Sequence, residues 1–316
     1  MSIKGGLAIV SALSILTGVR ESHCLGEVSL QVAVSPASIV ERCPIIVSVS
    51  LVNTGSDAIP TSFSAEAPDV LGRSLRVAVR SVDGEERWLE YPGGIEPLTP
   101  AVGDVHRLEP GASIRIDHVM APVYRQEPPA RWAGHLRDLY TFLAPGQYRA
   151  QFELTMQVGQ TVRSAPVEIT VLSATGVNSA ARNLVSLPHV DFLVGRDRPF
   201  DETDYGGRRT HNKVDVSRFS ELQAILTEHP ESSYAGWIRY WKLYHHGPSG
   251  EALRYLREHA DFPLADNLML RVAEKLFHAH AFAESRAVIT ELLAKFPGGD
   301  TRAAALDLQA RLDKKP

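Results

Sequence analysis

Cysteine is nearly absent from this chain, with only Cys24 and Cys43 among 316 residues. No disulfide framework can hold such a fold, so its stability must come from apolar packing. An excess of basic charge is missing too. Lys and Arg number 33 against 37 Asp and Glu, a net charge of −4, and from Val216 to Pro316 the two signs balance at 13 each. A phosphate backbone demands a cationic face, so the balance argues against nucleic acid as a partner. Also missing are a Gly-x-Ser-x-Gly elbow, a Gly-Lys-Ser/Thr phosphate loop, a His-Glu-x-x-His pair and a Cys-x-x-Cys pair. Each of these places a nucleophile, a phosphate cradle or metal ligands at a fixed spacing. The sequence therefore predicts a protein that is not an enzyme and takes no cofactor and no metal.

No apolar run is long enough for a membrane span, which needs roughly 20 residues. The longest candidate, Gly5 to Val19, has 15 uncharged residues behind Lys4 and ahead of Ser22-His23-Cys24. That order reads as an export signal over residues 1–24, cleaved before Leu25, and predicts a periplasmic or cell-surface location. An uncleaved anchor or a buried N-terminal helix is the alternative, and the anchor would be the protein's one contact with a membrane. Leu16-Thr17-Gly18 opens like a lipobox, but Val19 stands where the lipidated cysteine belongs. Cleavage after Cys24 leaves Cys43 alone as a small buried hydrophobe, whereas earlier cleavage permits a Cys24–Cys43 bridge.

What is present divides the chain in two. Over residues 25–172 the apolar period is two, the signature of half-buried strands. Val28, Leu30, Val32 and Val34 alternate with polar residues, as do Val47, Val49 and Leu51, then Leu75, Val77 and Val79. Asp83-Gly84 predicts a hairpin before Trp88 and Leu89. Further strands follow at Ile114 to Val119, at Tyr148 to Leu154 and at Val167 to Val171. Seven or so short strands between turn signals predict an immunoglobulin-like antiparallel β-sandwich. Met120 to Leu139 interrupts the pattern with three prolines, Trp132 and His135. Either it is a crossover plugged by Trp132, or a loop that carries a site.

Over residues 173–316 the period becomes helical, starting with Ala180, Ala181, Leu184 and Val185 behind Asn178 as an N-cap. A second short helix is expected from Pro188 to Val194. Residues 195–215 lose all periodicity, mix five basic with five acidic residues and read as a flexible loop. Helices are then expected at 217–228, 232–245, 249–260, 264–278, 282–296 and 300–312, the last with Ala304, Leu308 and Leu312 on its apolar face. Pro230, Pro263 and Pro297 close similar phrases 33 and 34 residues apart, the length of one helical hairpin in a repeat array.

Two sets of residues carry resemblances. Ala144-Pro145-Gly146-Gln147-Tyr148 resembles the corner of bacterial immunoglobulin-like and fibronectin-like domains, which implies a Tyr148 hydroxyl bonded to nearby backbone. Leu51 to Gly55 resembles a strand end common in exported sandwich domains. In the second half, Ala273, Phe282, Ser285, Ile289 and Pro297 fall on the small, aromatic, small, large and closing-proline positions of a TPR-like repeat, while Leu292 departs from its late alanine. The resemblance covers about 100 residues and implies an α-solenoid of short hairpins that docks a protein or peptide.

Trp237, Tyr240, Trp241 and Tyr244 form the densest aromatic stripe, at i, i+3, i+4 and i+7. That spacing is a buried helix face, and it is also the pattern of a groove with aromatic anchors. With Trp132, these four are the residues proposed to meet a partner. His278 with His280, and His245 with His246, read as exposed turn histidines. A hydrolase would instead gather His135 or His189 with carboxylates, and a carbohydrate- or inhibitor-binding sandwich would expose Trp88 and Trp132.

Overall fold

The computed structural model describes residues 28–61, 75–81, 84–89, 106–126, 140–156, 161–194, 219–299 and 301–315. The expected export signal at 1–24, the loop at 195–215, Trp132 and His135 lie outside them. Strands come first: β1 (Val28–Ser35), β2 (Ser38–Val40), β3 (Ile45–Asn53), β4 (Ile59–Thr61), β5 (Leu75–Ser81), β6 (Glu86–Leu89), β7 (His106–Leu108), β8 (Ser113–Met120), β9 (Val123–Arg125), β10 (Tyr140–Phe142), β11 (Gly146–Thr155), β12 (Thr161–Arg163) and β13 (Val167–Leu172). Helices follow: α1 (Val177–Leu184), a 3₁₀ turn at Leu187–His189 running into α2 (Val190–Leu193), α3 (Ser220–Glu228), α4 (Ser233–His246), α5 (Ser249–Glu258), α6 (Ala265–His278), α7 (Phe282–Lys295) and α8 (Arg302–Leu312). The arrangement is β then α, with the change falling between Leu172 and Val177.

Two sheets and a small ribbon account for these strands. One sheet has the order β1-β3-β8, the other β10-β9-β6-β5-β11-β13-β2 with β12 also on β11, and β4 pairs β7. Pairing is antiparallel except between β13 and β2, where Val171 lies beside Ile39. The period of two does its expected work: Leu30, Val47, Val49 and Leu51 of the first sheet share a core with Val77, Val79, Phe152, Leu154, Ile169 and Val171 of the second. Each such side chain contributes about 1.5–3 kcal/mol relative to exposure. The stretch expected as a loop from Met120 begins instead with β9, which pairs with β10 through Tyr124 and Thr141.

At its start, β3 breaks alternation with Ile45, Ile46 and Val47, all buried. Ile45 and Val47 face the sheet core, while Ile46, with Val119 and Val123, belongs to the core of the helices. A strand covered on both sides needs a continuous apolar run, and this one has it. At the other end of β3, Asn53 is fully buried and fully bonded. Its Nδ2 donates to the carbonyls of Asp57 and Leu108, both at 2.8 Å, and its Oδ1 accepts from Gly55 N at 2.9 Å.

Among the helices, α6 and α7 form a tight hairpin. Ala281 N donates to Leu276 O at 2.9 Å and His280 N to Phe277 O at 3.0 Å, with His280 in the left-handed region at φ 62°. That is a Schellman closure with His280 where glycine usually sits. Ala273, Ser285 and Ile289 are fully buried between the two helices. Two expectations need correction. Asn178 does not cap its own helix; its Oδ1 accepts from Ser233 N at 2.8 Å, at the start of α4. On α8 the buried face is Ala305, Leu308 and Leu312, and Ala304 is exposed.

Candidate functional site

Beside the apolar contacts of Ile46, Val119 and Val123, sheets and helices meet at the turn Glu41-Arg42, between β2 and β3. Arg42 is left-handed at φ 66°, a conformation that costs about 1 kcal/mol for a residue with a Cβ. The bend sends both side chains into the helices. The Glu41 carboxylate accepts from Ala174 N and from Arg182 Nε, each at 3.1 Å, and its carbonyl accepts from Tyr234 Oη at 2.6 Å. Arg42 Nη1 donates to the carbonyls of Arg182, at 3.1 Å, and Val185. These carbonyls end α1, where a cation is favoured by the helix dipole. One dipeptide thus grips the β13–α1 connector, both faces of the α1 terminus and the first turn of α4.

Neighbouring groups are tuned by the same burial. It pushes the Cys43 thiol well above its ordinary range, so Cys43 stays protonated and inert. It also raises the Tyr234 phenol, with Cys43 and Glu41 adding to the effect. Burial, then the charge of Arg182, lower the Arg42 pKa, while Glu41 opposes them.

Beside this turn lies a pocket of about 500 Å³, walled by Arg42, by Tyr140, Thr141 and Phe142 of β10, and by Ser186, Leu187 and Pro188. The Arg42 guanidinium sits 5.3 Å from the centre of the Phe142 ring. Behind Pro188 is the buried His189. Its Nδ1 accepts from Ser186 N at 3.0 Å, with Ser186 Oγ at 3.3 Å, and its Nε2 is 3.9 Å from Glu221 Oε2. Since Nδ1 accepts a backbone N–H, the proton of the neutral ring is on Nε2, facing Glu221. Burial lowers the His189 pKa, opposed by Glu221 and by a backbone bond at Leu184.

The aromatic stripe lies in the chain's own core. Trp237, Tyr240 and Trp241 are buried, and only Tyr244 is half-exposed. Trp241 Nε1 donates to Leu193 O at 2.8 Å, Tyr240 stacks on Phe262 at 4.9 Å, and Trp237 meets the same ring edge-on at 5.3 Å. Packing therefore uses three of the five residues expected to face a partner, and Trp132 lies outside the described residues. Tyr244 has the Arg271 guanidinium 5.7 Å from its ring centre. Trp88 is 41% exposed on β6. His246, His278 and His280 are exposed and His245 is half-buried. Among the described residues no cluster of His, Cys, Asp and Glu could hold a metal ion, and no helix is long and apolar enough to cross a membrane.

Glu41, Arg42 and Tyr234 were not anticipated from the sequence. Tyr234 carried a signal, since it continues the aromatic stripe one turn toward the N-terminus. For Glu41 and Arg42 the partners are about 140 residues away, and no local pattern marks them.

No family model matches the chain, and no curated protein does either. Among solved structures, the alkylpurine DNA glycosylase AlkC of Pseudomonas fluorescens, bound to DNA containing an abasic site analog, aligns at 14% identity over 46% of this chain and 31% of its own, with a TM-score of 0.26. A β-glucosidase of Erythrobacter marinus aligns at 16% identity over 46% and 15%, with a TM-score of 0.27. The sporulation control protein Spo0M of Bacillus subtilis aligns at 9% identity over 51% and 55%, with a TM-score of 0.26. The chain spans less than a third of the first two proteins and about half of the third. Likeness this low bears on neither fold nor function.

Proposed function

We infer that this protein is an exported, non-enzymatic scaffold of the bacterial envelope. In this reading an immunoglobulin-like sandwich is fixed to a short TPR-like array and the pair docks a protein or peptide. The observation that carries it is the Glu41-Arg42 turn, which ties the sheet-rich half to α1 and α4 through five hydrogen bonds to distant groups. A joint of that kind holds two modules at a fixed angle, which suits a composite docking surface better than independent tethered domains. Two details support the module types. Tyr148 Oη donates to Ala144 O at 2.7 Å, the back-bond of a tyrosine corner. The small residues Ala273 and Ser285 meet inside the α6–α7 hairpin, as in a TPR-like repeat. The test is capture of partners by the exported chain from envelope extracts under mild crosslinking. A specific protein retained by the wild type and lost from a chain lacking 219–316 supports the reading; no specific partner counts against it.

A second reading, a hydrolase, is favoured by the Ser186–His189–Glu221 series, of which Ser186 lines the pocket and His189 lies behind it. The geometry argues against it, because the lone pair of His189 Nδ1 already accepts the Ser186 amide and is a poor base for Ser186 Oγ. Covalent labelling by a fluorophosphonate that disappears in Ser186→Ala would establish the enzyme, and absence of labelling removes it.

A further inference from the structure

We propose that the pocket beside Arg42 binds a small carboxylic acid with an aromatic or branched apolar body. Its volume of about 500 Å³ lies within the range of small-molecule sites, roughly 300–1,000 Å³, and it sits where two parts of the fold meet, a usual place for one. The wall is aromatic and aliphatic through Tyr140, Phe142, Leu187 and Pro188, and its single charge among the described residues is Arg42. Among the described residues no carboxylate lines it. Glu41, the nearest acid in sequence, is not part of the wall and is already bonded to Arg182 Nε and Ala174 N.

Arg42 is also preorganised. Its backbone is held left-handed, its Nη1 is committed to two carbonyls, and its plane is placed near Phe142. Among the described residues only Nη1 is hydrogen-bonded, which leaves the Nε and Nη2 edge for a ligand. That edge offers two parallel N–H donors at the spacing of a carboxylate, and a guanidinium that does not need to be ordered on binding loses little affinity to entropy. Tyr140 and Phe142 then flank the apolar body. This assignment does not depend on the scaffold reading, since a ligand site and a docking surface can coexist.

The experiment is titration of the isotope-labelled full chain with 3-phenylpropionate, read by amide shifts, beside its uncharged amide 3-phenylpropionamide. Saturable shifts with a Kd at or below about 1 mM are expected for the acid, and at least about tenfold weaker binding for the amide. Thr141→Trp fills the pocket without touching the Arg42 bonds and should abolish the shifts. Arg42→Lys keeps the charge, loses the fork, and should weaken binding about tenfold. Absence of saturable shifts overturns the proposal, as does equal binding of acid and amide. Binding undiminished in Thr141→Trp overturns it too, and that result remains readable even if Arg42→Lys fails to fold.

Discussion

Ser285 Oγ donates a 2.8 Å hydrogen bond to the carbonyl of Ala273, across the interface between α6 and α7. Both residues are fully buried, so the hydroxyl has no water to turn to and the two backbones must approach closely. Ser285→Ala should cost about 1 kcal/mol, because the Ala273 carbonyl keeps its place in the helix and only a side-chain bond is lost. Ser285→Leu should cost about 1–3 kcal/mol, because the added volume has no space to enter. Urea unfolding of the two variants checks the order. A leucine tolerated as well as alanine would show that the hairpin is not packed this closely.

Asn53 ends β3 with three side-chain bonds to backbone, two donated and one accepted. Asn53→Leu is of similar size but strands two carbonyls and the Gly55 amide. A loss of about 2–4 kcal/mol is expected, since each buried polar group left unpaired costs about 1–3 kcal/mol. Asn53→Asp should lose at least as much although it still accepts from Gly55 N, because its second oxygen would face the Asp57 and Leu108 carbonyls with no hydrogen to give and its charge would be buried. Chemical denaturation followed by tryptophan fluorescence measures all three.

How much of this was legible beforehand differs by residue. Val47, Val49 and Leu51 announce their strand because one face of it is buried, and period two follows from that alone. Ala273 and Ser285 were placed by a repeat pattern whose small positions exist for close backbone approach. Ala304 and Ala305 are hard to tell apart because Ala303, Ala304, Ala305 and Leu306 give adjacent faces of α8 nearly the same apolar content, and the neighbours α6 and α7 decide between them. Asn178 was assigned to its own helix because a local cap is the nearest use for a short polar side chain, whereas the bond it makes is to Ser233, 55 residues on. The Glu41-Arg42 turn left no trace because its specificity lies wholly in groups that are distant in sequence.

His280 holds the left-handed position of the α6–α7 turn at φ 62°. Glycine reaches that conformation without the Cβ clash, and His280 is exposed, so little packing is lost. His280→Gly should therefore stabilise the protein by about 0.5–1 kcal/mol, and His280→Val should destabilise it by at least as much. The difference in urea midpoint between the two variants reads the backbone cost directly.

The Glu41–Arg182 contact couples the two halves of the chain. Glu41 is mostly buried and Arg182 partly exposed, so screening reduces the pair to about 0.5–1.5 kcal/mol in a double-mutant cycle. The larger expected effect is on cooperativity. Glu41→Ala also strands the Ala174 amide, which frees the connector between β13 and α1. Limited proteolysis should then cut near residues 173–176 faster than in the wild type, while each half stays resistant. Unchanged cleavage would mean that the apolar contacts of Ile46, Val119 and Val123 hold the joint without this pair.

His189 makes stability depend on pH with a definite sign. Its pKa in the fold is lowered from 6.5, mainly by burial, against the opposing pull of Glu221. A group with a depressed native pKa binds its proton more readily when unfolded, so protons favour the unfolded chain. The contribution of the neutral ring is whole above about pH 6.5 and is lost as the pH falls below it toward the native value. Geometry gives the same direction, because a proton on Nδ1 would face the Ser186 N–H that this atom now accepts. The midpoint of thermal unfolding should therefore fall between pH 7 and pH 5 more steeply in the wild type than in His189→Gln, whose amide oxygen can accept the Ser186 bond without titrating. Glu221→Gln should steepen the fall further, since it removes the one described charge that favours the protonated ring. Parallel pH profiles for the wild type and His189→Gln would assign the acid sensitivity to other groups.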